Sequence, residues 1–259
     1  MKLYTKAEIL KEIDSFLNKE SVQKKIIEIL GPTGSGKTGF ALDLTQRFKK
    51  AEILSVDSRQ VYREIDIASA KISTEKQQGI PHHGLNLIDP NQEMSVYEFQ
   101  QYGFRIIDEI LSRGNLPILC GGTMLWLDAI SENYQFDASP RVKSDRKGPS
   151  RYEVLKIGIH WTREKLYERI NARAKKQFDA GLIEETQKIL SQYTLSRSAM
   201  TSFGYQEIQH FLKGEIFREE ALDLNQKRNR NYAKRQLTWW RGRKDVLWVD
   251  GEIVNSERQ

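Results

Sequence analysis

Residues 31–38 read Gly31-Pro32-Thr33-Gly34-Ser35-Gly36-Lys37-Thr38, and the fold of this chain turns on them. The octapeptide fits G-x-x-x-x-G-K-[ST], the phosphate-binding loop. The apolar run Ile26 to Leu30 precedes it and predicts a short buried strand. Ala41, Leu42, Leu44 and Phe48 follow at helical spacing. Strand, glycine loop and helix together build a nest of backbone N–H groups at a helix N-terminus, where an anionic phosphate is held. Glycines let the backbone wrap closely. Lys37 supplies a point charge, and Thr38 offers a hydroxyl to Mg²⁺. A glycine turn could match the pattern by chance, but the flanking strand and helix argue against that. The loop therefore predicts a bound polyphosphate or diphosphate. ATP or GTP is the default ligand, and the motif alone does not choose among them.

Outward from the loop, strands and helices alternate. Ile53 to Val56 predicts a second strand ending at Asp57. Val96 to Arg113 predicts a helix capped by Ser95. Leu116 to Cys120 predicts a buried strand, stopped by Gly121-Gly122, and Thr123 to Ile130 begins another helix. This pattern predicts an α/β fold, a P-loop NTPase-like parallel sheet flanked by helices. In such sheets ligands bind beyond the carboxyl ends of the strands. The phosphate loop, Asp57 and Gly121-Gly122-Thr123 should thus share one rim.

Asp137 to Arg151 is polar, with two prolines and a glycine, and reads as a loop or linker. Val154 to Ile159 predicts a strand. Thr162 to Asp179 predicts a helix closed by Gly181. Leu182 to Gln192, Tyr205 to Leu212 and Arg218 to about Trp240 complete a helical C-terminal region, with Val246 to Val249 as a last edge strand. The expected parts are an N-terminal helix (1–25), a P-loop core (26–136), a linker (137–151) and a remainder that combines core with a basic helical region (152–259).

The chain has 259 residues, 39% hydrophobic and 29% charged, which suits a soluble globular protein with a sizeable core. No apolar run approaches membrane-spanning length. Met1 to Gln23 is charged and amphipathic and lacks the continuous apolar stretch of a signal peptide. The single Cys120 rules out an internal disulfide and fits a reducing cytosol, so a cytoplasmic protein is expected. Arg141 to Lys244 carries 24 Lys+Arg against 12 Asp+Glu, a balance of +12. The rest has 17 against 23, a balance of −6. A basic second half suits a polyanionic partner, and a solvated basic surface would look the same.

Several constellations are candidates for chemistry. Asp57 ends a buried strand beside the phosphates and suits a general base or a ligand to metal-bound water. The run Ser58-Arg59-Gln60 follows it. Gly121-Gly122-Thr123 brings a hydroxyl to a helix N-terminus, although an ordinary turn has the same spacing. Arg169 and Arg173, one helical turn apart, would neutralise charge on a leaving group if they faced the loop rather than solvent. Gln226 to Lys244 holds eight basic residues and no acid, with Tyr232, Trp239 and Trp240 among them. That composition suits phosphate contacts and base stacking, or a basic amphipathic helix whose aromatics are core. His82-His83 invites a metal reading, but adjacent loop histidines rarely converge, and a structural or substrate-lining role is preferred.

With these residues in view, the chain resembles the tRNA dimethylallyltransferases, also called tRNA isopentenyltransferases. The matching blocks are GPTGSGKT, SVDSRQVY followed by DIASAK, PHHGLNLIDP with SVYEF, GGTMLW, REKLYERINAR, FGYQEI and YAKRQLTWWRG, in the family's order. The resemblance implies transfer of a dimethylallyl group from dimethylallyl diphosphate to the exocyclic amine of the adenosine just 3′ of the anticodon in tRNA. It implies that the loop holds a diphosphate, and that Asp57 takes the amine proton. Lys37, Thr38, Mg²⁺ and Arg173 would stabilise the departing diphosphate, with Thr38 as the metal contact. It further implies tRNA contacts from Asp57, Ser58, Arg59, Gln60, Thr123, Thr201, Ser202, Phe203, Gly204, Tyr205, Gln206, Asn231, Lys234, Arg235 and Thr238. The partner would be the anticodon stem-loop, met by a monomer.

One departure is large. Family members usually carry a helical insertion, with a D-P-x-R-x-x-R-A-L-E element, where this chain has only Asp137–Arg151. Arg141 and Lys143 are weak stand-ins for one family arginine. The shortened region motivates a second reading, an adenylate isopentenyltransferase acting on free adenine nucleotides. The basic segment Gln226 to Lys244 argues against so small an acceptor. A P-loop small-molecule kinase is a third reading. Against it, Leu116–Cys120 ends in glycine rather than an acidic residue. A tRNA-binding relative without activity is a fourth, opposed by the intact Lys37, Thr38, Asp57, Thr123 and Arg173.

Overall fold

Among the described residues every strand is parallel to its neighbours, so their carboxyl ends share one edge of a single sheet. The computed structural model describes residues 2–136, 147–201 and 204–255. The strands are β1 (Leu3–Tyr4), β2 (Lys25–Leu30), β3 (Ala51–Val56), β4 (His82–His83), β5 (Leu116–Gly121), β6 (Glu153–His160) and β7 (Val246–Asp250). Their order across the sheet is β1-β7-β6-β2-β5-β3-β4. The P-loop strand β2 is therefore central. Leu30 pairs with both Gly121 and Gly158, and Val56 pairs with Gly121. That register sets the ends of β2, β3 and β5 in one row, with the loop, Asp57 and Gly122 just beyond it.

Side chains of a strand alternate between faces, so a sheet covered on both sides needs apolar residues at nearly every position. In β2, Ile26 and Leu30 join one core, and Ile27 and Ile29 join the other. The first core is covered by α3 (Val96–Ser112), α4 (Met124–Ser131), α6 (Leu182–Gln192) and α8 (Tyr205–Leu212). The second is covered by α1 (Lys6–Asn18), α2 (Lys37–Arg47) and the first turns of α5 (Arg163–Asp179). Two more short helices are α7 (Arg197–Met200) and α10 (Gly251–Asn255), and the long α9 (Arg218–Trp240) packs along α5 and α8. Among the described residues no helix is long and apolar enough to cross a membrane.

The predicted strands and helices are all present, most with ends shifted by a few residues at most; the N-terminal helix, expected across 1–25, is confined to Lys6–Asn18. Ser95 closes a capping box with Glu98 on α3. Thr5 does the same with Glu8 on α1, which buries Ile9 and Ile13. The edge assignment for the last strand needs correcting. β7 lies between β6 and β1, because Leu3 and Tyr4 pair with Trp248 and Val249 outside it. A two-residue strand carries no periodicity to read. The same holds for β4, which pairs with Ile53 and Leu54 of β3. Arg141 and Lys143, and most of the 137–151 linker, lie outside the described residues.

Candidate active site

The loop closes on itself before it meets anything else. Gly36 caps α2 at φ +94°, in the left-handed region where a Cβ is costly. The first turn of α2 then points its N–H groups back across the loop. Lys37 Nζ donates to Gly31 O and Pro32 O, both at 2.9 Å. Burial pulls this ammonium down to about 8, against the opposing pull of Cys120 and Asp57. Two further cations arrive from α5. Arg173 Nη2 donates to Thr33 Oγ1 at 2.5 Å and to Asn229 Oδ1 at 3.3 Å, and its Nε is buried without a partner. Arg169 Nε donates to Gly34 O at 3.0 Å, with its guanidinium 4.3 Å from the Trp161 ring centre. Trp161 Nε1 in turn donates to Ser35 O at 2.9 Å. Burial lowers both arginines from their ordinary value. Among the described residues, none of these three cations is in an ion pair.

Asp57 faces them across the rim. Its Oδ1 accepts the Arg59 N–H at 2.9 Å, which orients the carboxylate. Thr123 Oγ1 accepts the Ser58 N–H at 2.9 Å and donates to Ser58 Oγ at 3.2 Å, tying the ends of β3 and β5 together. Gln60 is aligned by Ser55 Oγ at 2.8 Å. Arg59 reaches the other way, to Ser198 O and to Thr201 Oγ1, so Thr201 joins the rim through it. A cavity of about 270 Å³ lies between these groups. Thr33, Gly34, Gly36, Lys37, Thr38, Asp57, Arg59, Gln60, Arg169 and Arg173 all line it. Ile53, Ile72 and Leu85 give it an apolar side.

Not every expected contact residue reaches this rim. Tyr205 is fully buried in the core, with its hydroxyl on Glu185 Oε1, and Gly204 is buried at the start of α8. Gln206 is half-buried beside them. Ser202 and Phe203 lie outside the described residues. Asn231, Lys234, Arg235 and Thr238 are all exposed, on the outer side of α9. The aromatics of that helix divide. Trp240 is core, Trp239 is exposed with Nε1 on Asp128, and Tyr232 donates to Gly122 O at 3.2 Å. Burial, reinforced by the charge of Asp57, pushes Tyr232 up to about 12. His83 bonds Glu52 at 2.7 Å and is structural, whereas His82 lines the cavity.

Residue-level reading missed the inner side of α9. Asn229 holds Arg173, and Gln236 accepts the Thr33 N–H at 2.8 Å while donating to Gly122 O at 2.7 Å. Asn225, Asn229, Tyr232, Gln236 and Trp240 recur every three or four residues, which is a helix face. The signal was hidden because most of that stripe is polar. Among the described residues no group of three or more His, Cys, Asp or Glu could hold a metal ion. Thr38 and Asp57 do offer hard oxygen donors in one cavity. That set fits Mg²⁺, which binds through one or two protein oxygens plus substrate phosphates and keeps several waters.

Fold and site together define a phosphate-loop α/β protein whose cations gather on the loop and whose one cavity-lining carboxylate, among the described residues, is Asp57. Comparison with known proteins narrows the class. A family model described as IPP transferase matches residues 60–147 and 137–243. The chain is 35% identical over 280 residues to a tRNA dimethylallyltransferase of an Exiguobacterium species, covering 87% of this chain and 90% of that one. It is 31% identical to the tRNA dimethylallyltransferase of Acetivibrio thermocellus, covering 90% and 94%. The crystal structure of the full-length tRNA isopentenylpyrophosphate transferase of Bacillus halodurans superposes with a TM-score of 0.79 at 32% identity, covering 88% and 90%. A eukaryotic dimethylallyltransferase acting on tRNA shares the fold, with a TM-score of 0.78 at 21% identity. The chain belongs to the IPP transferase family, whose members are transferases.

Proposed function

We propose that this protein transfers a dimethylallyl group from dimethylallyl diphosphate to the exocyclic amine of the adenosine 3′-adjacent to the anticodon in tRNA. The observation that carries the reading is the shared cavity. Asp57 stands on one side of it, and Lys37, Arg169 and Arg173 gather on the loop at the other. The amine nitrogen attacks C1 of the dimethylallyl chain. The C1–O bond breaks, and its electron pair leaves with the diphosphate. An adenine amine is a weak nucleophile, so the reaction needs a base at the amine and positive charge at the leaving group. Asp57 takes the proton. Lys37 and Arg173 exchange their loop oxygens for those of the diphosphate. Mg²⁺ bound at Thr38 with the diphosphate would add charge neutralisation to the leaving group.

The target base must leave its stack to reach a cavity beneath the rim. Lys234 and Arg235 on the outer side of α9 suit contacts to the tRNA backbone, as do Arg59 and Thr201 at the entrance. Isopentenylation would be read by incubating the protein with Mg²⁺, labelled dimethylallyl diphosphate and total tRNA. Label should appear on tRNA and not on AMP. A folded protein that labels neither acceptor, or labels AMP alone, ends the tRNA reading.

A further inference from the structure

The carboxamide of Gln236 joins two parts of the site. Its Oε1 accepts the N–H of Thr33, in the first turn of the phosphate loop, at 2.8 Å. Its Nε2 donates to the carbonyl of Gly122, at the end of β5, at 2.7 Å. The side chain is 1% exposed, so both bonds are sheltered from competing water. The backbone at Gly122 is shaped around this group. A Cβ there would stand 2.5 Å from Gln236 Nε2 and 3.6 Å from Lys37 Nζ. Tyr232, one turn earlier, donates to the same Gly122 carbonyl, and Asn229 holds the arginine that bonds Thr33 Oγ1. Two successive turns of the inner side of α9 thus grip the loop or its neighbour strand, and the turn before them holds an arginine bonded to the loop. The outer side of the same turns presents Asn231, Lys234, Arg235 and Thr238 to solvent.

A helix is stiff along its hydrogen-bonded axis, so a load on its outer side moves the inner side with it. From this arrangement we infer that Gln236 is a positioning residue that couples RNA docking on α9 to the geometry of the diphosphate loop. The inference rests on the tRNA reading for the identity of the outer ligand. Coupling between two sites is reciprocal, so tRNA should tighten the loop's hold on diphosphate, and diphosphate should tighten tRNA binding.

Binding of inorganic diphosphate by the full chain, with and without saturating tRNA, tests this. We expect tRNA to tighten diphosphate binding about fivefold or more in the wild type. In Gln236→Leu the gain should fall below about twofold, and kcat should fall at least about tenfold with KM for tRNA within about threefold. A purely structural role would lower stability without separating kcat from KM. Tyr232→Phe removes one of the two donors to Gly122 O and should lose part of the gain, which keeps the test open if Gln236→Leu does not fold. Wild-type coupling retained in the variant that folds overturns the inference, as does a wild type that binds both ligands independently. Coupled binding without prenyl transfer would defeat the proposed reaction and leave this inference standing. Transfer without coupling would do the reverse, and a chain that binds no tRNA fails both.

Discussion

Two clusters of partly buried charge are built on the same sheet, and they are wired differently. In one, Lys156 of β6 and Arg243 are matched across the fold to Asp128 and Glu132 at α4 and to Asp245, with the unpaired Glu28 of β2 beside them. Lys156 bonds Glu132 and lies 2.8 Å from Asp245, and Arg243 lies 2.6 Å from Asp128. Each cation there meets a carboxylate. At the rim, among the described residues, Lys37, Arg169 and Arg173 bond carbonyls, a hydroxyl and an amide or lie over an indole face, with no ion pair. Buried charge is costly unless it is paired. Glu28 apart, the first cluster offsets that cost internally and is architecture. The second leaves its positive charge to be matched by an anion from outside, which is what a binding site requires.

The sharpest way to break this contrast is at the rim carboxylate. Asp57→Ala should lower kcat by about a thousandfold, as loss of a general base does, while inorganic diphosphate still binds within about threefold of wild type. Single-turnover transfer and a direct binding titration would separate the two. The paired cluster should behave oppositely. Lys156→Met should cost about 3 kcal/mol of stability by stranding buried carboxylates, with little change in kcat for the molecules that remain folded. Denaturant unfolding beside an activity assay would read both.

Acidity offers two smaller tests. Lys37 holds its proton only up to about pH 8, because burial disfavours the ammonium. Diphosphate affinity should therefore weaken by up to about tenfold for each pH unit above 8, well before an exposed lysine would titrate. A titration between pH 7 and 9.5 shows whether it does. Glu28, with both oxygens buried and unbonded, is pushed up to about 7, chiefly by burial. Its folded value lies above its unfolded value near 4.5, so the native state binds the extra proton between them. This group's contribution must fall as pH rises from about 4.5 to 7. Glu28→Gln should thus gain about 1 kcal/mol over wild type at pH 8 and little at pH 4.5, read from paired unfolding curves.

The same two regions differ in how far the chain announces them. The rim was largely legible. A glycine octapeptide, a strand ending in Asp57 and a Gly-Gly-Thr turn each carry a local signature, and a parallel sheet collects strand ends by construction. Arg173 was legible only as a candidate. Helical spacing fixes which residues share a side, not whether that side meets solvent, and the packing of α5 against the loop answered it. Tyr205 is the reverse case. It sits in a block expected to touch tRNA, yet its ring is buried and its hydroxyl is used by Glu185. On α9 the basic residues advertised the outer side. The inner side, made of Asn225, Asn229, Tyr232 and Gln236, escaped because hydrophobic periodicity cannot register a buried stripe of amides. The paired cluster escaped for another reason. Glu28 stands inside an apolar run and reads as an isolated exception, since the positive charges acting on it, Lys156 and Arg243, come from far along the chain.

By itself, then, the amino-acid sequence determined the P-loop, the parallel α/β order, the rim carboxylate and the membership of a transferase family. The first three follow from short-range rules, with apolar period marking strand and helix and glycine marking the turns of the loop, whereas the family follows from the resemblance of its motif blocks. Only the tertiary structure decided which cations face the loop, which aromatics of α9 are core, and that Gln236 clasps Thr33 to Gly122. Those outcomes depend on which surfaces desolvate one another, and desolvation is a property of pairs of elements far apart in the chain.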